Sequence, residues 1–215
     1  MKIVSINKYK WGSDNMNKKI ESLLNKLTSN PAKKYSITQT EDLANQVLKD
    51  CEFDNIFGAT PIVKIANCFD FSCFKADNMP NDISGNIFVG GTTKSIYKTD
   101  KVIIVGSTEE YEHQRFIIAH ELAHYLIDYI GSPESRDLNL LFTKTYPKND
   151  HHSEEEIRAD RFAAELLMPS KLFIRQYVKA MEAFDYNKKY TISFLATFFK
   201  TKKSSIARRI DEVII

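Results

Sequence analysis

Cysteine is scarce and unpatterned. The three residues, Cys51, Cys68 and Cys73, are odd in number and show no C-x-x-C spacing, which argues against both a disulfide framework and a thiolate zinc site. They read as core or strand residues. The opening Met1-Lys-Ile-Val-Ser-Ile-Asn-Lys-Tyr-Lys-Trp11 lacks the uninterrupted apolar stretch of a signal peptide, and no run approaches the length needed to cross a bilayer. The expected location is the cytoplasm, with no membrane partner. Internal repeats and low-complexity segments are also missing, which excludes collagenous and largely disordered chains. A net charge of +2 carries little information by itself.

What is present suits a globular domain. With 215 residues, 43% hydrophobic and 27% charged, the chain can bury one good core or form a compact domain with a small appendage. Charge is unevenly spread: Lys171, Arg175, Lys179, Lys188, Lys189, Lys200, Lys202, Lys203, Arg208 and Arg209 face only Glu182 and Asp185 over the same stretch. Such a region is either a solvated face or a surface for nucleic acid or an acidic partner.

Helical spacing of Ile20, Leu23, Leu24 and Leu27 predicts a helix over 15–28, broken by Asn30-Pro31. Because residues 1–35 are polar and lysine-rich, they read as an arm that packs on the main body or on a partner. A helix over 40–51 and one from Pro61 to about Cys68 follow. Runs at 71–75, 86–89 and 101–105, bounded by turn residues, predict strands of a small antiparallel sheet. Ser107 and Glu110 have capping-box spacing ahead of a long helix that ends near Gly131. The stretch 131–152 is loop-like, and helices are expected over 153–168, 171–184, 192–199 and 204–213.

One stretch carries chemistry: Arg115-Phe-Ile-Ile-Ala-His120-Glu121-Leu-Ala-His124-Tyr-Leu-Ile127. Two histidines four apart project from one helical face and can share an ion, with Glu121 beside them to act on water. Phe116, Ile117, Ile118, Leu122, Leu126 and Ile127 make an apolar setting in which an uncompensated charge is expensive. A zinc site usually has three protein ligands, and the candidate third is Glu156. Glu156, Ala159, Asp160 and Ala163 share a helical face whose alanines permit close approach, and Asp160 would accept the far N–H of a histidine. A competing reading makes Ser153 and Glu156 a simple capping box.

His120-Glu-Leu-Ala-His124 followed by Glu156-Ile-Arg-Ala-Asp160-Arg-Phe-Ala-Ala-Glu-Leu-Leu-Met-Pro169 resembles the ImmA/IrrE family of metallopeptidases, a gluzincin-like group. The similarity includes Arg115-Phe116 and Asp82-Ile-Ser-Gly85, extends more loosely from about Thr40 to the C-terminus, and does not cover residues before about 35. Ala123 stands where many members have glycine. The resemblance implies zinc held by His120, His124 and Glu156, Glu121 as catalytic glutamate, and a protein substrate, a helix-turn-helix repressor whose cleavage or disabling relieves repression, often of a mobile element. The N-terminal helix-turn-helix module of some members is not seen.

Transition-state donors left open are His151, His152, Tyr146 and Tyr125, and the strand at 86–89 is a candidate to receive substrate as an added strand. Two other readings remain: a metal-binding regulator that acts by contact without proteolysis, and direct DNA binding through residues 191–210, which have helix-turn-helix spacing. The expected architecture is α+β: a mostly helical, zincin-like domain over 36–215 with a small three-stranded antiparallel sheet and a helix-turn-helix-like segment at 190–215.

Overall fold

A computed structural model describes residues 3–7, 13–29, 35–137, 139–147 and 153–214. The α+β class holds, with the main helices packed on one face of a single sheet and Tyr97 of a short helix packed with Phe74, Phe88, Val102 and Ile104 on the other. The chain runs β1 (Ile3–Asn7), α1 (Asp14–Thr28), α2 (Ile37–Asp50), α3 (Ile62–Cys68), β2 (Ser72–Ala76), β3 (Ile83–Gly90), α4 (Thr93–Tyr97), β4 (Lys101–Gly106) and α5 (Tyr111–Ala123). A π-helical turn, His124–Tyr129, extends α5. Then come β5 (Leu141–Pro147), α6 (Glu154–Leu167), α7 (Ser170–Ala183), α8 (Lys188–Phe199) and α9 (Lys203–Val213). No described helix is long and apolar enough to cross a membrane.

The sheet departs from the three-stranded antiparallel expectation. Among the described residues it has five strands in the order β1-β2-β4-β3-β5, and the β2–β4 pair is parallel. The two added strands are edge strands, each hydrogen-bonded on one side only, so neither needs the continuous apolar run that marks a buried strand. In β5 the odd positions Leu141, Thr143 and Thr145 are exposed while Tyr146 is buried, a period-two pattern hidden in a stretch that otherwise reads as loop.

Segments before residue 36 pack on this body. Strand β1 pairs antiparallel with β2, and α1, capped by Ser13, buries Met16, Ile20, Leu23 and Leu27 in the main core. The cysteines are free and buried. One local expectation fails: Ser107 donates to Asp77 Oδ1 at 2.6 Å instead of capping a helix, and Glu110 occupies the N-cap position of α5 without a side-chain cap bond. The extended helix does end just before Gly131, which has φ +83°.

Strands β3 and β4 set the height of α5 above the sheet. Gly85 on β3 lies so close to α5 that a Cβ placed there would fall 2.2 Å from Ile117 Cγ2. Gly85→Ala is therefore expected to lower stability by about 1–3 kcal/mol through overpacking. Urea unfolding would check this, and an unchanged midpoint would show that α5 can shift freely.

Candidate metal centre

Helices α5 and α6 pack directly on each other, with Ala119, Ala123, Ala159 and Ala163 all buried. Small side chains there let the two backbones approach. This contact brings one carboxylate from α6 to two imidazoles from α5 and its π-helical extension. His120 Nε2 lies 3.0 Å from Glu156 Oε2, His124 Nε2 lies 3.2 Å from Glu156 Oε1, and the two Nε2 atoms are 3.0 Å apart. Zinc bonds of 2.0–2.1 Å in a tetrahedron require ligand atoms about 3.3 Å apart, so the three side chains can hold such an ion with little adjustment. Among the described residues they form the one cluster of at least three potential ligands.

The competing reading of Glu156 is half right, because two different parts of the residue are used. Ser153 caps α6 by accepting from the Glu156 backbone N–H at 3.2 Å, while the carboxylate reaches the histidines. Burial works against ionisation of that carboxyl, but hydrogen bonds from His120 and His124 outweigh it and hold its pKa well below the usual range.

Each histidine has a carboxylate on its far side. His120 Nδ1 donates to Asp160 Oδ1 at 3.0 Å, and His124 Nδ1 donates to Asp128 Oδ2 at 2.5 Å. These bonds fix the ring orientations and leave both Nε2 atoms aimed at the shared point. Asp128 is the residue that the sequence reading missed, although its position one turn after His124 was a usable signal. In the metal-free protein burial would lower both histidine pKa values. Asp160 and Glu156 reverse this for His120, and Asp128 and Glu156 push His124 up to about 9.

Glu121 is fully buried, and neither carboxylate oxygen has a hydrogen-bond partner among the described residues. Burial raises its pKa to about 7 against the opposing pull of His124 and His120. An unsatisfied buried carboxylate costs several kcal/mol unless a further charge or solvent molecule meets it. That orphaned group, beside a convergent N, N, O donor set, is what a site built around a cation and a water requires.

The candidate donors divide. Tyr146 on β5 is buried with its ring centroid 4.7 Å from that of His120. Its hydroxyl is kept protonated by burial and by the Asp160, Glu156 and Glu121 carboxylates, which suits a neutral hydrogen-bond donor. Tyr125 is not brought to the cluster: its ring packs against Phe71 and Tyr129, under the Lys101 ammonium, because position 125 points from the helix toward the core. His151 and His152 lie outside the described residues. The strand at 86–89 is not free to add a strand, since β3 is hydrogen-bonded to β4 on one side and β5 on the other. Strand β5 is the sheet edge beside the cluster, and Lys144 ties it to α6 through Glu155 at 2.6 Å.

The helix-turn-helix-like pair α8–α9 is docked onto the same centre. Arg115 donates from Nε to the Lys200 carbonyl at 3.1 Å, anchoring the turn between α8 and α9 to α5. Arg208 reaches Asp160 at 3.4 Å, and Arg209 is buried. Arg208, though largely exposed, and the buried Arg209 are thus both engaged within the protein.

No curated protein sequence matches the chain significantly. Among solved structures, a Mycobacterium tuberculosis transcriptional regulator is similar, with a TM-score of 0.50 and 17% identity over 92% of this chain and 52% of that one. This chain therefore spans about half the length of that regulator, and at such identity the likeness concerns the fold. The family profile described as the IrrE N-terminal-like domain, a peptidase family, matches residues 81–211. That span takes in β3 to β5 and both helices that carry the cluster, so the chain belongs to the IrrE N-terminal-like peptidase family.

Proposed function

We propose that the chain is a zinc-dependent endopeptidase that cleaves a helix-turn-helix transcriptional repressor and so relieves repression. His120, His124 and Glu156 are the metal ligands, Glu121 is the general base and acid, and Asp160 and Asp128 orient the imidazoles. The observation that carries this reading is the unpartnered Glu121 carboxylate next to three convergent donors. A zinc ion in that position would supply Lewis acidity, making water a nucleophile near neutral pH and polarising a peptide carbonyl.

Glu121 takes a proton from the attacking water and returns it to the leaving amine. Tyr146 offers its O–H to the carbonyl oxygen as negative charge develops. The outer edge of β5 provides backbone donors and acceptors that would hold an extended substrate segment beside the cluster. The family membership supports a peptidase, and the repressor as substrate rests on the resemblance to proteins that act on repressors.

The test is incubation of the purified, zinc-loaded protein with the repressor encoded by a neighbouring gene. Discrete fragments that disappear on chelation are expected. An intact repressor whose DNA binding is nevertheless lost would replace proteolysis with inactivation by contact.

Metal binding can be tested separately. Glu156→Ala is expected to lose stoichiometric zinc, whereas Asp128→Asn and Asp160→Asn weaken affinity by about 10–100-fold. A cation must displace the proton that His124 carries below about pH 9, so affinity measured by calorimetry should fall as pH drops from 9 to 6. Full zinc content in Glu156→Ala would remove that residue from the site.

A further inference from the structure

The surface opposite in character to the buried centre lies on α7, α8 and the 53–57 loop. Tyr190, Phe194 and Phe198 recur at intervals of four along α8, and their rings join neighbours into a strip. Phe57 meets Phe198 at 5.1 Å, Phe198 meets Phe194 at 6.0 Å, Phe194 meets Phe184 at 5.9 Å and Phe184 meets Tyr190 at 6.3 Å between centroids. Much of this strip is in water: Phe57 is 71% exposed and Tyr190 60%, with Phe194 also exposed. On α7, Ile174 and Val178 are exposed as well. An isolated exposed aromatic is ordinary, but a contiguous run of this kind marks an interaction site.

Its electrostatics define the partner. Lys171, Arg175 and Lys179 lie one turn apart along α7, and Lys188 and Lys189 begin α8. No ion pair is found for any of the five among the described residues. Lys171 and Arg175 also line one cleft of about 770 Å³ together with Phe57, whose ring meets Phe198 of α8, so the first turns of α7 and the Phe57 end of the aromatic strip open onto the same space. We infer that the α7–α8 face docks an acidic amphipathic segment of a protein partner, with apolar side chains on the aromatic strip and carboxylates toward α7.

Other occupants fit less well. A second copy docked by the same face would set its lysines against these. Nucleic acid would use the cations, but Ile174 and Val178 offer nothing to a base, and the rings are packed on one another at angles such as 84° and 60° rather than spread as separate stacking platforms. Glu41, Asp42, Asp54 and Glu165 also line the cleft; Glu41 and Glu165 lie beside Arg209, whereas Asp42 and Asp54 would repel carboxylates and turn them toward Lys171 and Arg175.

The experiment is selection from a random-peptide display library on the whole protein, followed by fluorescence anisotropy with the enriched peptides. Enriched sequences should combine acidic and apolar residues, weaken with salt, and bind at least about tenfold less tightly to Phe57→Ser/Tyr190→Ser and to Lys171→Glu/Arg175→Glu, both built on exposed positions. Unchanged melting temperatures would confirm that the variants fold. Enriched peptides without acidic residues, binding to either variant as tight as to the unmodified chain, or no enriched peptide at all, with or without tight binding of an oligothymidylate, would each overturn the assignment. The assay reads binding alone, so its outcome is independent of whether the metal centre is catalytic.

Discussion

Glu121→Gln is expected to retain one equivalent of zinc while lowering kcat/KM for peptide or repressor cleavage by about 10²–10⁴, the usual contribution of a general base. That loss corresponds to about 3–5 kcal/mol of transition-state stabilisation. The substitution is nearly isosteric and removes no intramolecular hydrogen bond, because neither Glu121 oxygen has a partner among the described residues. What it removes is the capacity to accept a proton. A neutral amide also relieves the cost of a fully buried, unpaired carboxylate, so the variant should melt no lower than the unmodified chain. Inactivity together with a lowered melting temperature or lost zinc would point to a structural role. Undiminished cleavage would eliminate the proposed mechanism.

Arg209→Met should produce the largest loss of stability. The guanidinium is fully buried on α9 and ion-pairs with the buried Glu165 of α6. It also donates to Ser170 Oγ at 2.8 Å and to the Met168 carbonyl at 3.2 Å. Glu212 and Glu41 lie 3.4 and 3.7 Å away. Removing the cation strands Glu165, whose other contacts, from Asn45 and Ser170, are neutral donors. Breaking a buried pair in this way costs about 3–5 kcal/mol, or a melting-point fall of about 6–20 °C for a chain of this size. Pairing Arg209→Met with Glu165→Gln should recover much of the loss, since no buried charge is then left alone. A single variant with less than about 1 kcal/mol of effect would mean that water reaches this pocket.

The consequence extends to the metal centre. Glu165 sits on the same helix as Glu156 and Asp160, and Arg209 neighbours Arg208, which contacts Asp160. A loosened α9 would therefore disturb the helix that carries Glu156 and Asp160. Zinc affinity of Arg209→Met should reveal that coupling, independently of any peptidase assay.

Much of the site was legible because its signals are local. Two histidines four apart and Glu121 between them depend only on helical periodicity, and the face shared by Glu156, Ala159, Asp160 and Ala163 follows from the same geometry. Most helix limits were legible for the same reason, since caps such as Ser153 and breaks such as Pro169 act within a turn or two. Asp128 is equally local, one helical turn after His124.

What stayed hidden depends on partners distant in the chain. Strands β1 and β5 are short edge strands whose hydrogen bonds come from β2 and β3, so local propensity could not establish them. The parallel β2–β4 pairing and the enclosure of β3, which makes β5 the free edge beside the cluster, are properties of strand order alone. Likewise, periodicity placed Tyr125 next to His124 in sequence, but only the packing sent it into the core and brought Tyr146 to His120. The sequence by itself determined the pairing of His120 and His124 with Glu121 between them and the helices that display them, because those are short-range matters of spacing. The tertiary structure decided which carboxylate meets the histidines and which tyrosine stands over them, because burial and contact are set by chain segments far apart.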